Sequence, residues 1–171
     1  MTITTTHIRD ATPDDAHACA AIYAPYTTDT AITFELTPPA PQEMAQRISA
    51  AQHHHAWLVL EEDDRVLGYA YAGPFRARAA YAHSCEVSVY LDRDHRGSGR
   101  GRALYRSLLP ALAARGMRTA VACMTLPNDA SLALHRAVGF TTVGTMHSVG
   151  YKHGTWHDVA WAEIDLTTLT T

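Results

Sequence analysis

The sequence predicts an α+β, or mixed α/β, fold in which helices cover a sheet. Strand-like runs rich in β-branched and aromatic residues lie both before and after segments with helical spacing. Neither an internal repeat nor an interdomain linker breaks the 171 residues, so residues 1–171 read as one domain, long enough to bury most of its apolar surface in one core. Hydrophobic residues make up 47% and charged residues 18%, which excludes disordered and fibrous architectures.

A β-prone stretch from about Ile3 to Arg9 opens the chain. Thr12-Pro13-Asp14-Asp15 then reads as an N-cap, a proline at the first helical position and an acidic first turn, predicting a helix from about Asp14 to Tyr23. Pro38, Pro39 and Pro41 punctuate a loop, after which Met44, Ala45, Ile48 and Ala51 recur at helical spacing within Gln42 to Gln52. Ala56 to Glu61, Val66 to Ala72 and Cys85 to Leu91 are strand-like. The first two are joined in hairpin fashion at Asp63-Asp64, and an antiparallel meander is the simplest arrangement of all three. Arg102 to Arg115 carries Leu104, Leu108, Leu109 and Leu112 on one side and stops at Gly116. Thr119 to Met124 reads as a short buried strand and Ser131 to Val138 as a helix ended by Gly139. Phe140 to Val143 and Asp158 to Leu166 close the chain as strands.

A formal charge of -3 argues against a general nucleic-acid binder, so any polyanion site must be local. Cys19, Cys85 and Cys123 are odd in number and outside any CxxC spacing, which disfavours a disulfide frame or cysteine zinc site and fits a reducing cytoplasm. The Thr-rich segment from Met1 to Asp10 lacks a signal pattern, and no apolar run is long enough to span a bilayer; neither secretion nor membrane spanning is expected.

Chemistry concentrates between Leu91 and Arg102. From Arg93 to Gly101, three glycines and three arginines fall in nine residues. Glycines admit close approach of backbone amides, and the unpaired amides of a helix start attract an anion, so the segment reads as a phosphate cradle. The bland alternative, a tight strand-to-helix connection, leaves the arginines unexplained. The loop has no Gly-Lys-Ser/Thr, and Arg102 stands where a dinucleotide fingerprint needs its third glycine. Arg96, Gly99 and Gly101 instead match Arg/Gln-x-x-Gly-x-Gly/Ala, and the segment resembles the pyrophosphate motif of the GNAT acetyltransferase superfamily. Asn128-Asp129-Ala130-Ser131 and Leu134-His135-Arg136-Ala137-Val138-Gly139-Phe140 extend the likeness downstream.

A closer resemblance, to the phosphinothricin and methionine sulfoximine acetyltransferase group, runs almost end to end. It is carried by Ile8 to Thr12, Gly68-Tyr69-Ala70, Phe75 to Tyr81, Glu86 to Tyr90 and Gly150 to Asp158, with Thr155 where that group often has arginine. It implies a twisted, mostly antiparallel central sheet flanked by about four helices. It also implies acetyl-CoA as co-substrate, no metal, a small amino-acid acceptor and a homodimer.

Amine acetylation needs a neutral amine, a polarised thioester carbonyl and a proton for the departing thiolate. Alternation in Cys85 to Leu91 sets Glu86, Ser88 and Tyr90 on the face opposite Cys85, Val87, Val89 and Leu91, so Glu86 must face water or a cleft. Glu86 is either the general base, as the resemblance implies, or a structural carboxylate paired with Arg76 or Arg78. The resemblance further implies that the backbone of Val89, Tyr90 and Leu91 meets the pantetheine and thioester. Arg96 and Gly97, Ser98, Gly99, Arg100, Gly101 and Arg102 would then hold the pyrophosphate, and Asn128 the amide-rich arm. His135 stands where many GNAT enzymes have a tyrosine; it is either a proton donor or a packed helix histidine. The acceptor pocket is expected from Phe34, Arg76, Ala77, Arg78, Tyr81, Val87 and Ser88 beside Glu86, the arginines suiting anionic or dipolar oxygens. His53-His54-His55 diverge around a helix end and do not form a metal site by themselves. Two competing functions remain open: acetylation of a peptide amine, and a catalytically dead acyl-CoA-binding module.

Overall fold

The computed structural model describes residues 6–169. Strand β1 (Thr6–Asp10) is followed by a short 3-10 turn, Pro13–Asp15, and helices α1 (Ala16–Asp29) and α2 (Pro41–His54). Strands β2 (Trp57–Glu62), β3 (Arg65–Pro74) and β4 (Ser84–Leu91) form the expected antiparallel meander. Helix α3 (Arg100–Ala114), strand β5 (Thr119–Thr125), helix α4 (Asp129–Ala137) and a hairpin of β6 (Thr141–Lys152) and β7 (Thr155–Asp165) complete the chain. The sheet order is β1-β2-β3-β4-β5-β7-β6, antiparallel except between β4 and β5.

Both faces of the first half of the sheet are covered, and β2 shows why it reads as an unbroken apolar run. Trp57 and Val59 pack with Tyr23, Met44 and Ile48 of α1 and α2, while Leu58 and Leu60 pack with Leu104, Leu108 and Leu112 of α3. The β2–β3 turn is Asp63-Asp64 with φ of 49° and 61°, the doubly left-handed geometry of a two-residue hairpin whose strands keep their right-handed twist.

Two elements differ from expectation, and one is tested only in part. Of the first strand's predicted residues, 3–5 lie outside the described ones. Helix α1 runs past Tyr23 to Asp29 with Pro25 inside it, because Tyr26 and Thr27 are buried and that packing offsets the lost backbone donor. The closing hairpin is much longer than Phe140–Val143 and Asp158–Leu166. Strand β6 is the edge of the sheet and exposed along most of its length, so it carries no alternation to reveal it. Its turn, His153-Gly154 with φ of 52° and 74°, repeats the β2–β3 geometry.

Candidate active site

Strands β4 and β5 part company halfway along. They are paired only at Ser84 with Thr119, Cys85 with Ala120 and Glu86 with Val121, whereas β4 continues to Leu91 and stays bonded to β3 throughout. Between the diverging strands the backbone edge of Val87–Leu91 has no strand partner among the described residues. Such an edge can take an extended, amide-bearing arm as an added strand. A cavity of about 310 Å³ lies along it, walled by Val89, Leu91, Gly97, Gly101, Asn128 and Leu134 among others. A narrower one of about 50 Å³, sharing Val89 and Asn128, reaches inward to Ser88, Tyr90, Tyr105, Cys123 and His135.

At the outer end of the cavity the glycine-rich segment turns into α3. Gly97 and Gly99 have φ of 83° and 79°, conformations that favour glycine. Ala103 N–H donates to Gly99 O at 3.0 Å, closing the first turn and leaving the amides of Arg100, Gly101 and Arg102 as unpaired helix-start donors. A β-carbon on Gly101 would meet Leu134 at 3.1 Å, so the approach of α3 to α4 leaves little room for a side chain there. This donor set suits a pyrophosphate. The arginines are not equivalent: Arg100 donates to Glu62 at 2.6 and 3.0 Å and to His95 O at 3.2 Å, so its guanidinium is committed inside the protein. It also bonds the Ser98 hydroxyl. Arg96 and Arg102 remain exposed at the rim, Arg96 donating only to Arg93 O at 3.3 Å. Asn128 caps α4, its Oδ1 accepting from Ser131 N–H at 3.2 Å, which leaves its amide NH2 for another partner.

Glu86 sits where the two strands begin to diverge, and the alternation read from sequence holds: Cys85 and Val87 are buried in the core under α3, while Tyr90 packs toward α1. No salt bridge joins Glu86 to Arg76 or Arg78 among the described residues. Its carboxylate instead accepts a hydrogen bond from the thiol of Cys123, with Sγ to Oε1 at 3.3 Å.

His135 is 5% exposed. Its Nδ1 lies 2.7 Å from Ser131 O, and a carbonyl only accepts, so Nδ1 carries the proton. Burial disfavours the imidazolium and lowers its pKa below the ordinary range. The neutral ring's Nε2 therefore accepts from the Tyr105 hydroxyl at 2.9 Å. Tyr105 escapes a sequence reading because it stands among the core leucines of α3 at ordinary helical spacing.

The acceptor residues occupy two places. Arg76 lies over the Phe75 ring at 4.3 Å and near Trp161 at 5.7 Å, donating to Phe75 O, and Tyr81 meets Phe75 edge to face. This cluster follows directly on β3, whose Gly73 is paired with Glu86. Ala77 and Arg78 are exposed in the connecting loop. Val87 turns its side chain into the core, so it offers an acceptor only backbone, and the partly buried Ser88 lies opposite Tyr71 of β3. Phe34 comes from the α1–α2 loop and lies so close to Gly150 of β6 that a β-carbon there would meet its ring at 2.2 Å. Lys152, 3% exposed, pins that loop by donating to Thr33 O and Glu35 O, each at 2.8 Å. His53 and His54 are exposed and His55 buried, so the triplet diverges as expected.

A splayed β4–β5 pair with a glycine-rich helix start at its end is an arrangement that can hold an extended arm ending in a pyrophosphate. The chain belongs to the GNAT acetyltransferase family, whose domain model matches residues 8–161. It is 41% identical over 158 residues to the phosphinothricin N-acetyltransferase of Streptomyces viridochromogenes, covering 92% of this chain and 86% of that one. It is 33% identical to the L-methionine sulfoximine/L-methionine sulfone acetyltransferase of Pseudomonas aeruginosa, covering 93% and 94%. A phosphinothricin acetyltransferase from Sinorhizobium meliloti, solved in complex with acetyl-CoA, superimposes with a TM-score of 0.90 at 37% identity, covering 94% of this chain and 88% of that one.

Proposed function

We propose that the chain transfers the acetyl group of acetyl-CoA to the α-amine of a small amino acid whose side chain ends in an oxygen-bearing phosphorus or sulfur group, such as phosphinothricin, methionine sulfoximine or methionine sulfone. The carrying observation is the position of Glu86 at the fork of β4 and β5, beside the Val87–Leu91 edge that β5 leaves without a strand partner, its carboxylate bonded to the Cys123 thiol. Acetyl-CoA supplies the acetyl group as a reactive thioester. The amides of Gly97 to Arg102 hold its pyrophosphate, with Arg96 and Arg102 at the rim and the Asn128 amide along the arm. A backbone N–H of Val89 or Leu91 donates to the thioester oxygen, that of Tyr90 being turned to β3. Glu86 takes the amine proton through a water. A neutral His135 has no proton on Nε2 to give while that nitrogen accepts from Tyr105, so the departing thiolate takes up the proton that the amine sheds as the amide forms. Arg76 and Arg78 face the acceptor's oxygens, with Phe34 and Tyr81 beside its stem and the Ser88 side with Glu86 beside its amine.

CoA release, followed with acetyl-CoA and a panel of methionine sulfone, methionine sulfoximine, phosphinothricin, methionine and a short peptide, tests the acceptor. The oxygen-bearing amino acids should give the highest kcat/KM, and a peptide preferred over all of them would overturn the assignment. Glu86→Gln should lower kcat by about 10²-fold or more at neutral pH while CoA affinity holds. The defect should lessen above about pH 8, where the amine loses its proton unaided.

A further inference from the structure

We propose that Cys123 is a positioning residue for Glu86, its thiol holding one carboxylate oxygen so that the other faces the amine. The proposal rests on the reading of Glu86 as general base. Glu86 and Val121 are the last paired residues of β4 and β5, and paired residues share a sheet face. Side chains alternate along a strand, so Cys123, two residues beyond Val121, returns to that face at the mouth of the opening. There its Sγ stands 3.3 Å from Glu86 Oε1 and forms the wall of the narrow inner cavity with Ser88 and His135.

Strand β5 fixes the backbone that carries this thiol. Across the sheet Cys123 is in register with Trp161 of β7, and Trp161 is fixed in turn by the edge of Phe75 at 6.3 Å. A donor on a strand bonded to its neighbour loses little orientation, whereas a glutamate beside an open cleft otherwise samples several rotamers. Desolvation and then the Glu86 charge push the Cys123 thiol up to about 12, so at neutral pH it is protonated and donates; a thiolate would repel the carboxylate. With Oε1 engaged, Oε2 is the oxygen left to accept from water or amine. Cys85, the neighbouring sulfur, is turned into the core and bonded to Thr119 O, so it cannot substitute.

The experiment compares wild type, Cys123→Val, Cys123→Ser, Glu86→Gln and the double variant Cys123→Val/Glu86→Gln with methionine sulfone as acceptor. CoA release is read by chromatography, since thiol reagents would also attack Cys123. Calorimetric titration with CoA reports whether each variant folds and keeps its cofactor cleft. Cys123→Val should lower kcat about fivefold, the effect of one weak hydrogen bond, with CoA affinity unchanged. Cys123→Ser, which keeps a donor, should recover most of that loss. In the Glu86→Gln background Cys123→Val should have no further effect, because a residue acting only through Glu86 has nothing left to position. Wild-type kcat in Cys123→Val, failure of serine to recover activity, or an equal loss in both backgrounds would overturn the proposal while leaving Glu86 as base. Full turnover in Glu86→Gln would instead remove the base assignment, and the role of Cys123 with it.

Discussion

His135 shows how one buried side chain ties the site to folding. Its imidazole is held neutral by desolvation, with Nδ1–H on Ser131 O and Nε2 facing Tyr105. An unfolded histidine takes a proton near pH 6.5, the folded one only at lower pH, so below about 6.5 the unfolded chain binds more protons. The stability linked to this depressed value is complete above pH 6.5 and is lost as pH falls through the folded value. His55, also lowered by burial, adds a contribution of the same sign. Asp15, held below the usual carboxylate range by its hydrogen bond to Arg9, matters only at more acid pH. Urea midpoints measured between pH 7.5 and 5.5 should therefore decline, and less steeply in His135→Gln than in wild type. Identical slopes would assign the proton uptake to other groups. The sequence places His135 in the right helix but leaves its role open, because burial and the partner on Nε2, Tyr105, thirty residues away, are encoded by no local spacing.

Among the elements, the clasp between the α1–α2 loop and the β6–β7 hairpin is the one the sequence hides. Lys152 lies next to the hairpin turn, and in a strand pattern a lysine reads as solvent-facing. Here it is buried, its charge disfavoured by desolvation and supported by the nearby Glu35, and its ammonium answers two loop carbonyls. The same loop carries Phe34 onto Gly150. Lys152→Met keeps the bulk and removes the donors, leaving the carbonyls of Thr33 and Glu35 unpaired. Chemical unfolding should show a loss of about 1–3 kcal/mol. The acceptor KM should rise as Phe34 is released, while CoA affinity, set by the distant α3 start, stays as in wild type. A variant as stable as wild type would mean that water replaces the ammonium at no cost. The phosphate loop is the opposite case, legible from sequence because Gly97 and Gly99 occupy left-handed conformations that restrict the residue type. What the sequence leaves open there is the work of the Arg100 guanidinium, which is drawn to Glu62 on β2, thirty-eight residues back.

At the scale of the whole molecule, the last hairpin carries a run of exposed large apolar side chains. Val143, Met146, Val149, Tyr151 and Trp156 are each at least half exposed, with Trp156 at 62%. An edge strand with that composition invites a partner. The prediction is a homodimer by sedimentation, with Met146→Glu and Trp156→Glu together shifting the mass toward one chain. A monomeric wild type at micromolar concentration would refute it.

The sequence by itself determined the order and type of the elements, the antiparallel meander and the phosphate loop, and it set Glu86 on the face away from the α3 core. These follow from periodicity, turn chemistry and glycine's conformational freedom, all of which act within a few residues. Tertiary structure alone decided where β4 and β5 separate, which arginine faces the loop and which is internally paired, that His135 meets Tyr105, and that Cys123 meets Glu86. Each of these depends on groups far apart in the chain that only sheet register and packing bring within hydrogen-bonding distance.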